Sequence, residues 1–90
     1  MSNNQKYIQN PELVATELDG SLMMMSVEEG KYFELNPVSK RIWELFEKEN
    51  SFTGVVNTLL EEYEVSREDC ETQVEEHIAV LLKKKLLHKK

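Results

Sequence analysis

After Leu35 the spacing of apolar residues changes from two to about 3.6, which divides the chain into a strand-forming part and a helix-forming part. Before the switch, Leu13, Val14, Ala15, Thr16 and Leu18 make a short β-prone run that stops at Asp19-Gly20. Asp-Gly between two apolar runs signals a two-residue hairpin, because both central residues of a type I′ turn need positive φ. The second run, Ser21 to Val27, carries Leu22, Met23, Met24, Met25 and Val27, and ends at a further turn, Glu29-Gly30. Lys31 to Leu35 is a third short strand in which Phe33 and Leu35 alternate with Tyr32 and Glu34. These signals predict a three-stranded antiparallel meander whose outer strands are edges with unpaired backbone groups.

Beyond the switch, Asn36 can cap a helix and Pro37 suits its first turn, where a missing N–H is no loss. Val38, Ile42, Leu45 and Phe46 then share one face, with Trp43 beside it, and this helix runs out near Asn50. A second helix starts at Ser51 with Phe52, Val55, Val56, Leu59 and Tyr63 inward. Only Glu64-Val65 separates it from Ser66, which opens a third helix through a variant capping box ending in Asp69. That helix shows Cys70, Val74, Ile78, Leu81 and Leu82 on one stripe and Glu68, Glu71, Glu75 and Glu76 towards water. The layout expected is α+β, βββααα, with residues 1–10 as a flexible arm and 11–90 as one domain with a basic tail. Two helices joined by so short a turn resemble a helix-turn-helix unit.

Size and charge narrow the function. A chain of 90 residues buries only about 60–65% of the surface its unfolded form exposes, so its function is expected on a surface rather than in a deep pocket. Its apolar runs fall far short of the roughly 20 residues a membrane span needs. Met1 to Asn10 is polar, with no basic-then-apolar secretion signal, which reads as a cytoplasmic protein that engages no membrane. Five of the 11 basic residues, Lys83, Lys84, Lys85, Lys89 and Lys90, fall in the last eight positions. The first 82 residues therefore hold six basic against 17 acidic side chains, a balance of −11.

Catalytic and metal constellations are absent from the sequence. Cys70 and His77 are seven apart on one helix, about 10 Å along the axis, whereas a thiol–imidazole pair needs contact at roughly 3 Å. His77 and His88 are eleven apart and no His or Cys pair has ligand spacing. Gly20, Gly30 and Gly54 are scattered, so no phosphate loop is present. The expectation is a non-enzyme without cofactor or metal. A DNA-reading helix would need Arg, Lys, Asn or Gln near its N-terminus. The third helix offers Glu68, Asp69, Glu71, Glu75 and Glu76 there, with Arg67 and Gln73 as the exceptions. Carboxylates would face phosphates, so no nucleic acid is expected as a partner. What remains is an edge strand, 31–35, beside an amphipathic helix. An extended peptide could add to that edge, or Lys31 and Glu34 could simply guard it.

Gly30-Lys31-Tyr32-Phe33-Glu34-Leu35-Asn36, then Ile42-Trp43-Glu44-Leu45, then the helices Ser51 to Tyr63 and Ser66 to Leu82, resemble the PqqD-like family. These are leader-peptide recognition domains of ribosomally made, post-translationally modified peptides. The resemblance spans residues 12 to about 87. It implies a winged-helix-like fold with an N-terminal three-stranded sheet, and a precursor leader bound antiparallel to the third strand. Tyr32, Phe33, Glu34 and Leu35 would be the docking strand, and Val74, His77, Ile78 and Leu81 the helical wall. Stand-alone members of this size are similar to the leader-binding proteins of lasso-peptide clusters, which hand the precursor to a leader peptidase and cyclase. A winged-helix DNA-binding regulator, or a peptide chaperone for another pathway such as pyrroloquinoline quinone biosynthesis, is the alternative. An edge that takes a peptide can also take its own copy, as a weak homodimer. The sequence departs from the family in two places. Gly54 stands where an acidic residue is common at the third position of the second helix, and Lys85-Leu86 where a glycine commonly follows the third.

Overall fold

The structure, a computed structural model describing residues 5–90, turns the chain at Asp19-Gly20 with both residues at positive φ, 48° and 85°. This mirror-type turn joins β2 (Leu13–Leu18) to β3 (Ser21–Ser26), and a second turn at Gly30, φ 65°, leads into β4 (Lys31–Leu35). The three strands form an antiparallel sheet in the order β2-β3-β4, so β4 is an edge. Leu22 lies opposite Leu35, and Met24 opposite Phe33. Since side chains alternate across a sheet, these four share the face turned to the helices, where Leu22, Met24 and Leu35 are buried and Phe33 partly so. Val14, Met25 and Tyr32, aligned across the strands, share the outward face.

Asn36 caps α1 (Pro37–Glu44): its side-chain oxygen accepts the Ser39 N–H at 2.9 Å, with Pro37 in the first turn. The helix ends earlier than the expected Asn50. Phe46 N–H and Glu47 N–H donate to the carbonyls three residues back, Trp43 and Glu44, at 3.0 Å each, the tighter winding that closes many helices. Ser51 caps α2 (Phe52–Glu62) through the Gly54 N–H at 3.0 Å, and Ser66 caps α3 (Arg67–Lys83) through the Asp69 N–H at 3.1 Å.

The arm expected over residues 1–10 is overturned where it is described; residues 1–4 lie outside the described residues. Lys6–Gln9 is a strand, β1, lying between β5 (Asn50–Ser51) and β6 (Leu87–Lys89) in a second three-stranded antiparallel sheet. Tyr7 is 2% exposed and meets the Phe46 ring edge-on at 5.8 Å. The expected basic tail is corrected in the same way, since Leu86 and Leu87 are buried and 87–89 pairs with β1. The fold is thus α+β, but with the element order β1-β2-β3-β4-α1-β5-α2-α3-β6 rather than βββααα. Of the three added strands, the two at the chain ends were hidden by composition: four residues within a polar stretch at one end and a lysine-rich run at the other.

One core serves both sheets. Ile42, Trp43 and Phe46, then Val55, Val56 and Leu59, meet Cys70, Val74, Ile78 and Leu81, with Tyr7 and Met24 completing the cluster. The Trp43 indole N–H donates to the Leu86 carbonyl at 3.2 Å, fixing the end of α3 against α1.

Candidate functional site

The free edge of β4 and the side of α3 nearest to it form the site. Three contacts set how α3 lies beside β4. Ser39 Oγ and His77 Nδ1 are hydrogen-bonded at 2.8 Å, which fixes mid-α3 against the start of α1. Lys84 Nζ stands 5.6 Å from the Phe33 ring centroid. Lys85 Nζ pairs with Glu29 in the β3–β4 turn at 3.1 Å. Hence α3 runs opposite to β4, and the seven residues from His77 to Lys84 span about 10 Å along it, close to the length of three strand residues.

The expected site residues divide. On β4, Leu35 is buried and Phe33 half-buried, both towards the helices, whereas Glu34 and Tyr32 (70% exposed) are exposed and alternate onto the outward face. Their part in a groove under α3 is through backbone alone. On α3, His77 is half-buried at the groove, but Val74, Ile78 and Leu81 are fully buried in the core. The exposed row beside these three on the helix is therefore the candidate surface next to the strand. Positions three, four and seven apart share a helix face, and the row through His77 to Lys84 also contains Gln73 and Val80. Val80, 46% exposed, is an apolar side chain outside the buried stripe. Gln73, Val80 and Lys84 are candidate residues that the sequence alone did not single out. The available signal was Val80 itself, an aliphatic residue off the Cys70–Val74–Ile78–Leu81 stripe.

Burial disfavours the charged imidazole and lowers the His77 pKa, an effect opposed by Glu76 on the next residue. Burial raises the pKa of the Cys70 thiol, which lies 3.9 Å from the Val56 carbonyl and away from His77. The two do not form a reactive pair. A cavity of about 210 Å³ adjoins the row at Gln73, lined by Val38, Ile42, Leu59, Tyr63 and Val65, with Cys70 and Val74 among its walls. Arg41 closes one side of it, held by Glu62 through Nε and Nη2 at 2.9 and 2.6 Å. That double hydrogen bond lowers the Glu62 pKa and raises that of Arg41. Among the described residues no cluster of three metal-ligating side chains occurs, and no helix is long and apolar enough to cross a membrane.

An exposed strand edge beside a partly apolar helix row is suited to holding an extended chain, with backbone hydrogen bonds giving affinity and side-chain contacts selection. The family described as Coenzyme PQQ synthesis protein D (PqqD) matches residues 21–87. The chain belongs to the PqqD family. TbiB1, solved in complex with the TbiA(beta) leader peptide, is 27% identical with a TM-score of 0.81, over 90% of this chain and 94% of that one. A lasso peptide synthetase B1 complexed with the leader peptide is 23% identical with a TM-score of 0.79, over 91% and 96%, and shows likeness of fold. No curated protein matches. The PqqD match begins at Ser21, the first residue of β3, and ends at Leu87, the first of β6. It takes in β3, β4 and α3 whole, the elements that make the groove.

Proposed function

We propose that this PqqD-family chain is a non-catalytic adaptor that binds the leader segment of a ribosomally made precursor peptide. The leader adds as a further strand to the free edge of β4, antiparallel to it, and is flanked by the α3 row Gln73, His77, Val80 and Lys84. The adaptor then presents it to a modifying enzyme, a lasso-peptide leader peptidase with its cyclase. The observation that carries this reading is the free edge of β4, with half-buried Phe33, held beside α3 by the Ser39–His77 and Lys84–Phe33 contacts. Likeness to TbiB1, a protein solved with a leader peptide, supports it.

The test is a titration of the full chain with the labelled leader of the precursor encoded beside it. Saturable binding at micromolar concentration or below is expected, and its absence overturns the proposal. Val80→Asp introduces a charge beside the strand and is expected to weaken binding at least tenfold. Because Val80 is exposed, that variant should retain the parent's melting temperature within a few degrees. Ile78→Asp would not serve, since a carboxylate there enters the core.

A further inference from the structure

The groove carries its own charge polarity, and that polarity bears on which peptide it takes, given the strand-addition reading above. At its α1 end the nearest charged side chain on α3 is Glu76, which acts on His77. At its turn end stand Lys84, above Phe33, and Lys31, which alternates onto the same face two residues away, about 6.6 Å along β4. The chain has 17 acidic residues, and Lys85 beside them is paired with Glu29. Yet Lys84 and Lys31 have no carboxylate partner among the described residues. Lys84 rests on an aromatic face instead, a contact that leaves its ammonium able to take an anion as well.

Antiparallel addition converts this arrangement into positions on the peptide. The peptide residue opposite Phe33 projects its side chain onto the helix-facing side, directly under Lys84. The residue two places earlier lies opposite Leu35, on the same face, and the residue two places later lies opposite Lys31. We infer that the groove selects extended peptides with an apolar side chain opposite Leu35 and a carboxylate opposite Phe33 or Lys31, with Lys84 the residue that reads the carboxylate. Selection is then by placement of the acid rather than by net charge. The acidic body would favour a peptide with basic residues elsewhere, and the two lysines make one local exception. The same polarity opposes the reversed, parallel strand, which would carry its acid towards Glu76.

The experiment pans a display library of random twelve-residue peptides on the full chain and, separately, on its Lys84→Glu variant. Peptides enriched on the parent chain are expected to carry Asp or Glu two or four residues after an apolar side chain. Panning on the variant should lose that acid or replace it with Lys or Arg. For the best parent binder, changing the acid to its amide should weaken binding about two- to fivefold, the range for one partly exposed ion pair. The same change should have no effect on Lys84→Gln, while Lys84→Arg keeps the preference. Equal losses in the parent and Lys84→Gln, or identical enrichment on both targets, overturn the assignment to Lys84 while leaving peptide binding intact. No enrichment on the parent chain overturns the strand-addition reading itself, and this assignment with it.

Discussion

Lys85 shows how one residue can hold a family geometry without the residue that geometry prefers. At the end of α3 the Leu86 N–H donates to the Leu81 carbonyl at 2.8 Å and the Lys85 N–H to the Leu82 carbonyl at 3.0 Å. This is the Schellman pattern, with buried Leu86 against buried Leu81 as its apolar contact. The pattern requires a left-handed residue between them, and Lys85 has φ 61°. A lysine in that region costs about 1 kcal/mol relative to glycine. Its exposed pair with Glu29 returns only a fraction of that, because surface ion pairs contribute about 0–1 kcal/mol. Lys85→Gly is therefore expected to raise stability by several tenths to about 1 kcal/mol, measured by urea unfolding. A loss of stability would show that the Glu29 pair outweighs the strain. The same residue explains why the end of α3 is hard to read in the sequence. With glycine missing, the stop signal is carried only by Leu86, whose burial is a tertiary fact.

At the scale of elements, Asn50 joins two helix ends that the sequence presents separately. Its side-chain N–H donates to the Leu45 carbonyl at 3.0 Å, closing α1, while its Oδ1 accepts the Ser51 N–H at 2.8 Å, opening α2. The second contact is the one a glutamate at the third helical position makes in a capping box. Here that position is Gly54, and a Cβ on it would stand 2.3 Å from Asn50 Oδ1. Absence of the acid and presence of Asn50 are thus two sides of one substitution: the asparagine supplies the acceptor and occupies the space. Gly54→Glu alone is expected to destabilise the fold by about 1 kcal/mol, through displacement of Asn50 and loss of its cap. In an Asn50→Ala background the same change should stabilise by a comparable amount, since the glutamate reaches a free Ser51 N–H and replaces a helix glycine. Chemical denaturation of the four proteins gives the coupling, and additive effects would refute the exchange. The caps Asn36, Ser51 and Ser66 and the turn Asp19-Gly20 were legible because each acts within four residues of itself. The side of α3 that faces the groove was not. A stripe of apolar residues reports which face is buried, and the candidate groove wall is the row beside it, which holds Val80 and Lys84.

At the scale of the whole molecule the two ends of the chain hold each other. β1 pairs with β6 through Tyr7–Lys89, Ile8–His88 and Gln9–Leu87, and the Asn10 N–H donates to the Leu86 carbonyl at 3.1 Å. Gln9 adds a bond from its backbone N–H to the Phe46 carbonyl at 3.0 Å and one from its side chain to the Trp43 carbonyl at 2.9 Å. These contacts link residues up to 82 positions apart, so no local pattern announces them, and a four-residue strand with one aromatic looks like an arm. Their consequence reaches the site, because the Trp43–Leu86 hydrogen bond ties the end of α3 to α1. A chain of this size has little stability to spare, of the order of 5–10 kcal/mol. Tyr7→Ala, which empties a fully buried aromatic site, is expected to cost about 3 kcal/mol and lower the melting temperature by about 10 °C or more. Deleting residues 1–10 should cost at least as much, whereas removal of a true arm would leave the melt unchanged. If the deleted form melts like the parent, β1 has no part in the fold. If it melts lower, yet binds peptide as the parent does well below its midpoint, the clasp supports the groove through stability alone, without shaping it.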